Sequence, residues 1–137
     1  MVIVQRNKTI RVVIGKIGCD IHERGATLLA LALRDAGMEV IYVGRFQTPE
    51  AVAKVAIDEG ADVIALSDHT GSMRYIAVGV IKALKKYQGN DIHVIAGGLI
   101  PKKDIPVLEK MGVTGNFGPG TPFDVIIEHI GSRVEKG

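Results

Sequence analysis

The sequence predicts an α/β fold: a three-layer sandwich with helices on both faces of one five-stranded parallel sheet. Three observations carry this expectation. Apolar runs of five to seven residues alternate five times with longer segments of helical period. Val, Ile, Ala and Leu supply most of the 47% hydrophobic content while aromatics reach only 4%, which suits strands buried on both sides. The junctions carry Gly and Pro, so each repeat reads as a strand, a short connection and a helix.

The first strand is expected at 11–17 (RVVIGKI), ending in a loop from Gly18 to Arg24. A helix follows from Gly25 to Gly37, with Leu28, Leu29, Ala32 and Ala36 at helical spacing and Gly37 as its stop. Residues 39–44 (EVIYVG) form the second strand. Thr48-Pro49-Glu50 starts the second helix, with Thr as N-cap, Pro in the first turn and an acid near the positive helix end; Gly60 closes it after Glu59. Residues 62–67 (DVIALS) are the third strand, followed by the polar loop DHTGSM. Tyr75 to Tyr87 is a third helix whose Lys82, Lys85 and Lys86 suit the negative end of the dipole. A fourth strand at 92–96 leads to Gly97-Gly98. The fourth helix, Lys102 to Met111, must take Pro106 in its first turn or kink there. VTGNF (113–117) is a short fifth strand, Gly118 to Pro122 a turn, and Thr121-Pro122 the cap of a last helix reaching about Val134.

Five such units with right-handed crossovers favour the strand order 2-1-3-4-5, the flavodoxin-like form of a Rossmann-like sheet. A barrel needs more strands. In open sheets of this kind ligands bind beyond the carboxyl ends of the strands, near the switch between strands 1 and 3. The unusual residues collect at that edge: Gly18 to Arg24 after strand 1, Ser67 to Met73 after strand 3, Gly97-Gly98 after strand 4 and Gly118 to Thr121 after strand 5.

The length of 137 residues suits one domain over 1–137, with a core from about 10 to 134, and is too short for two ordinary ones. The net charge is +2 with acids and bases interspersed, so no polybasic arm supports nucleic acid or membrane binding. Cys19 is the one cysteine, which excludes an internal disulfide and a multi-cysteine metal site. No apolar run approaches the roughly 20 residues that span a bilayer. The first residues lack the layout of a signal peptide. The expected location is the cytoplasm.

Asp20-Ile21-His22-Glu23-Arg24-Gly25 is the segment with chemistry in it. A histidine on a loop at this edge can offer one ring nitrogen to a metal, while a carboxylate two residues earlier holds the other nitrogen. Lys16, at the end of strand 1, can sit behind Asp20 and keep it ionised, and Gly25 lets the first helix start close to a bulky ligand. One His and one Asp do not complete a protein-only zinc site, so a metal here would arrive inside a macrocycle that brings its own equatorial ligands. The bland alternatives are a solvated loop histidine at His22, a surface ion pair for Lys16 and Asp20, a strand-end cap for Ser67, a tight turn for Gly97-Gly98 and edge core for Phe117. His69 reads equally as a solvated residue or a ligand or interface contact. His93 and His129 read as structural or exposed.

The sequence resembles the cobalamin-binding domain of adenosylcobalamin-dependent acyl-CoA mutases of the methylmalonyl-CoA mutase type. The residues that carry the resemblance are Lys16-x-Gly18-x-Asp20-x-His22-x-x-Gly25, Phe46-Gln47-Thr48-Pro49-Glu50, Ser67, Ala96-Gly97-Gly98-x-Ile100-Pro101 and Phe117-Gly118-Pro119-Gly120-Thr121. They span about residues 10 to 130. The resemblance implies adenosylcobalamin as cofactor, with His22 as lower cobalt ligand in place of the cofactor's own dimethylbenzimidazole and Asp20 and Lys16 behind it. It implies that the displaced nucleotide tail enters a slot, where Ser67 bonds the base and Gly97, Gly98, Phe117, Gly118 and Thr121 line the walls. It implies an isomerase subunit without catalytic residues of its own, inactive until it meets a large barrel-type subunit that binds the acyl-CoA.

Two positions depart from the family pattern. His69 stands where Leu is usual after the Ser of strand 3, and Ile21 stands where Gly is common in the mutases, which is closer to the methyl-transfer branch. The competing functions are a corrinoid carrier for methyl transfer, a non-catalytic cobalamin sensor or store, and a response-regulator-like or flavodoxin-like domain. The last is weakened because the loop after strand 1 has neither an acidic pair nor a phosphate-cradling Ser/Thr run.

Overall fold

The computed structural model describes residues 9–18, 24–45 and 47–136. Its five strands are β1 (Arg11–Gly15), β2 (Glu39–Tyr42), β3 (Val63–Asp68), β4 (His93–Gly98) and β5 (Val113–Phe117). They form one parallel sheet in the order β2-β1-β3-β4-β5, as the sequence pattern leads one to expect. The helices are α1 (Arg24–Asp35), α2 (Pro49–Asp58), α3 (Met73–Lys86), α4 (Ile105–Lys110, preceded by a 3-10 turn at Lys102–Asp104) and α5 (Phe123–Lys136). No described helix is long and apolar enough to cross a membrane.

Alternation along the strands builds two cores. Val13, Ile64, Leu66 and Val94 face α2, α3 and α4, where they pack with Val52, Ala56, Ala77, Val80 and Leu108. Val12, Ile14, Val63, Ala65 and Ile95 face the other way, onto Ala26, Ala30 and Leu33 of α1 and Ile126 and Ile130 of α5. Successive strand residues point to opposite faces, so a strand covered on both sides reads as an unbroken apolar run. Burying a side chain such as Leu33 completely contributes about 2 kcal/mol.

Local chemistry fixes the helix ends. Thr48 caps α2, its Oγ1 accepting from Ala51 N at 3.0 Å, and Pro49 occupies the first turn, as the sequence indicates. Pro106 likewise sits in the first turn of α4. The last cap differs: the Thr121 hydroxyl donates to the Gly118 carbonyl at 2.7 Å, closing the turn before α5 instead of capping the helix. In α1 the buried stripe is Ala26, Ala30 and Leu33, while Leu28 stays 42% exposed. The run ATLLALAL is apolar all round, so its period alone could not say which face meets the sheet.

Strand lengths shift with their neighbours. β1 stops at Gly15, and Ile17 makes an isolated parallel bridge to Gln47. β4 runs through Gly97 and Gly98, which pair with Ser67 and Asp68 of β3 and so are strand residues, not a turn. In β5 one extra residue is inserted: Ile95 pairs with Thr114, yet Gly97 pairs with Phe117. Gly115 (φ 83°) and Asn116 (φ 50°) form this bulge. Because side chains alternate, the insertion moves Phe117 to the α1/α5 face, opposite to Val113. All strands run in one direction, so their carboxyl ends share one edge, and each helix returns the chain to the other edge.

Candidate cofactor site

A slot of about 400 Å³ opens at the carboxyl edge, between the sheet and the starts of α1 and α5. Its floor is the sheet face of Ile14, Ala65, Ser67, Ile95, Gly97 and Phe117. Gly25, Ala26 and Leu29 of α1 form one wall, and Phe123 and Ile126 of α5 the other. The turn Gly118 to Pro122, which follows β5, completes the lining. The lining is apolar except for a few groups, among them Ser67, His69 and Thr121. That suits a largely apolar ligand group held mainly by contact area with a few orienting hydrogen bonds.

The slot exists because side chains are missing where the layers would otherwise meet. A Cβ at Gly118 would meet nothing within 4 Å, so this residue borders open space. A Cβ at Gly25 would lie 3.9 Å from His69 Cε1, and one at Gly97 would lie 3.5 Å from the Phe117 carbonyl oxygen. Both are ordinary contacts, so these glycines keep the slot wide. Gly98 has a different reason to be glycine. Its φ is 120°, and a Cβ there would lie 2.0 Å from the Asp68 carbonyl oxygen.

Phe117 is fixed from behind. Its ring packs edge-on against His129 of α5, with centroids 5.4 Å apart, and His129 Nε2 is 2.9 Å from Thr114 Oγ1. Burial, with the positive charge of Arg133 in second place, holds the His129 pKa below its ordinary value. His129 is therefore part of the structural support of the slot.

Lys16 follows the last residue of β1 and is wholly buried, its Nζ donating to Ser67 Oγ at 3.3 Å. Nearby backbone bonds hold the end of β1: Gln47 N donates to the Lys16 carbonyl at 3.1 Å, and Gly18 N to the Gln47 carbonyl at 3.0 Å. The Gln47 amide group donates in turn to Val43 O at 2.8 Å. The Gln47-Thr48-Pro49 stretch thus anchors the start of the loop after β1 and launches α2. Asp20, His22 and Phe46 lie outside the described residues; Gly18 and Arg24 flank the first two.

Of the residues singled out from the sequence, Gly25, Ser67, Gly97, Gly98, Phe117, Gly118 and Thr121 all line the slot, and Lys16 touches it through Ser67. The apolar floor and walls were not foreseen individually. Their only signal was strand alternation, which places Ile14, Ala65 and Ile95 on one face.

A family model for the B12 binding domain matches residues 10–127. The chain belongs to the B12-binding domain family. This B12-binding domain is 42% identical to the 2-hydroxyisobutanoyl-CoA mutase small subunit of Aquincola tertiaricarbonis, over 91% of this chain and 92% of that one. It is 38% identical to methylmalonyl-CoA mutase of Escherichia coli over 82% of its own length, where it corresponds to 16% of the larger enzyme. The crystal structure of a cobalamin-binding protein from Desulfitobacterium hafniense DCB-2 superposes with a TM-score of 0.75, covering 93% of this chain and 60% of that one; at 19% identity the likeness is one of fold.

Proposed function

We propose that this chain is the cobalamin-binding small subunit of an acyl-CoA mutase and works in the cytoplasm with a separate large subunit. The observation that carries the reading is the apolar, glycine-widened slot at the carboxyl edge, with Ser67 on its floor, in a chain that matches a mutase small subunit over nearly its whole length. The residues present fit the nucleotide tail of a cobamide: Ile14, Leu29, Ile95 and Ile126 offer apolar faces, and Gly25 and Gly118 leave room between them. When bound, adenosylcobalamin supplies radical chemistry for carbon-skeleton isomerisation.

The chain's own part is to bind, orient and shield. His22 would hold the cobalt from below, and Asp20 would fix the tautomer of its ring. Ser67 Oγ accepts from Lys16 Nζ, and its own hydroxyl proton would donate to a base nitrogen in the slot. Gly97, Gly98, Phe117, Gly118 and Thr121 would border the tail. The large subunit would hold the acyl-CoA in a barrel over the mouth of the slot and exclude water there.

Adding adenosylcobalamin to the purified chain should give the base-off, His-on absorption spectrum, and His22→Ala should lose it. Copurification with the large subunit should then yield acyl-CoA isomerisation that neither chain shows alone. No spectral change in the wild type, or an identical change in His22→Ala, would overturn the assignment of the cobalt ligand. Isomerisation by this chain alone would overturn the division of labour.

A further inference from the structure

The loop after β3 carries a polar residue on the slot wall at the position where the family pattern has Leu. Ala65, Ser67 and His69 line the slot from β3 and its continuation, while the Leu66 side chain between them packs into the opposite core. His69 is therefore one pleat beyond Ser67, nearer the mouth. It spans to the start of α1, where its Cε1 would be 3.9 Å from a Cβ placed on Gly25.

The support beneath His69 is fixed on both sides. Asp68 pairs with Gly98, and Leu99 N donates to the Asp68 carbonyl at 2.9 Å. The Asp68 side chain is 1% exposed and turned away from the slot; it accepts from Thr70 Oγ1 at 2.7 Å and from Ser72 N at 2.9 Å, at the start of α3. A buried carboxylate with two donors orders the whole turn. Its neighbour His69 is thus presented from a strand end locked by β4 and α3, and not from a free loop.

We infer that His69 is a binding residue for the sugar-phosphate segment of the cobamide tail, one step nearer the mouth than the base contact at Ser67. The inference rests on the proposed cobalamin-binding function. The chemistry is direct: an imidazole N–H can donate to a phosphodiester oxygen or a ribose hydroxyl, which the family's Leu cannot do. The apolar wall there makes such a bond count more than it would in water.

The test compares two corrinoids on the isolated chain: hydroxocobalamin and cobinamide, which has the same corrin ring but no nucleotide. The expected result is that His69→Leu weakens hydroxocobalamin binding about tenfold or more, from the loss of one hydrogen bond in an apolar surrounding. Binding of cobinamide and the melting temperature should stay as in the wild type. His69→Gln, which restores a donor, should recover most of the loss; a purely steric or folding role would not be rescued in this way. Unchanged hydroxocobalamin affinity in both variants, or equal weakening of both corrinoids, would overturn the assignment of His69 alone. Failure of the wild type to bind hydroxocobalamin would overturn the functional reading and this inference with it.

Discussion

Replacing Gly98 by Ala tests whether the β3–β4 junction is held by backbone contact. The added Cβ would lie 2.0 Å from the Asp68 carbonyl oxygen, about 1.4 Å inside ordinary contact at 3.4 Å. A flexible side-chain tip could give way, but the obstacle is backbone. Relieving it means separating the strands at Asp68 and Gly98 and losing the Leu99 N to Asp68 O bond of 2.9 Å. That bond contributes about 1 kcal/mol, and forcing a non-glycine residue to φ 120° costs a further 1–3 kcal/mol by order of magnitude. The expected loss is about 2–4 kcal/mol, a large part of the roughly 5–15 kcal/mol typical of a domain. Urea unfolding should show a lower midpoint at unchanged slope. Gly118→Ala is the control: its Cβ would meet nothing within 4 Å, so its unfolding free energy should stay within about 0.5 kcal/mol of wild type. A Gly98→Ala loss below about 1 kcal/mol would refute the steric argument, since strain and the broken bond together exceed that.

Two further outcomes follow from the slot's supports. Gly115→Ala puts a Cβ 2.6 Å from Phe117 Cε2 at a φ of 83°, so it should cost about 1–2 kcal/mol in urea unfolding and weaken hydroxocobalamin binding by displacing the ring. Unaltered affinity would separate the bulge from the slot. For His129 the folded pKa lies below 6.5, so as pH falls through that value the unfolded chain takes up its proton first and stability drops until the folded pKa is passed. Wild type should therefore lose more stability between pH 7 and pH 5 than His129→Gln does; parallel urea series with equal slopes would refute this.

The inner strands β1, β3 and β4 were legible because each is an apolar run buried largely on both sides, and the half-buried edge strands β2 and β5 because Gly-marked breaks set them off from the helices. The start of α2 at Thr48 and Pro49 was legible because cap chemistry is local, whereas the helix expected from Lys102 divides into a 3-10 turn at Lys102–Asp104 and α4 from Ile105, with Pro106 in its first turn. The face of α1 was not legible, since Leu28 and Leu29 are equally apolar and only packing against the sheet separates them. The bulge at Gly115 and Asn116 was hidden because VTGNF reads as a plain strand, yet it decides which side Phe117 takes. Gly97 and Gly98 looked alike in sequence but differ in space: a Cβ at Gly97 would make only ordinary contacts, whereas one at Gly98 would collide with the Asp68 backbone. The slot itself is made of absent side chains, and an absence has a volume only once the flanking layers are in place.

The single direction of the strands has a consequence for how such a unit can be joined to others. The chain enters β1 at the edge away from the slot, and α5 leads it back to that same edge. Both ends of the fold therefore point away from the mouth. A linker attached at either end leaves the opening clear, so the unit can be tethered to a larger polypeptide or travel as a free subunit without redesign of its business end. That geometry gives a physical reason why the same stretch matches 92% of a small subunit in one relative and 16% of a long mutase in another.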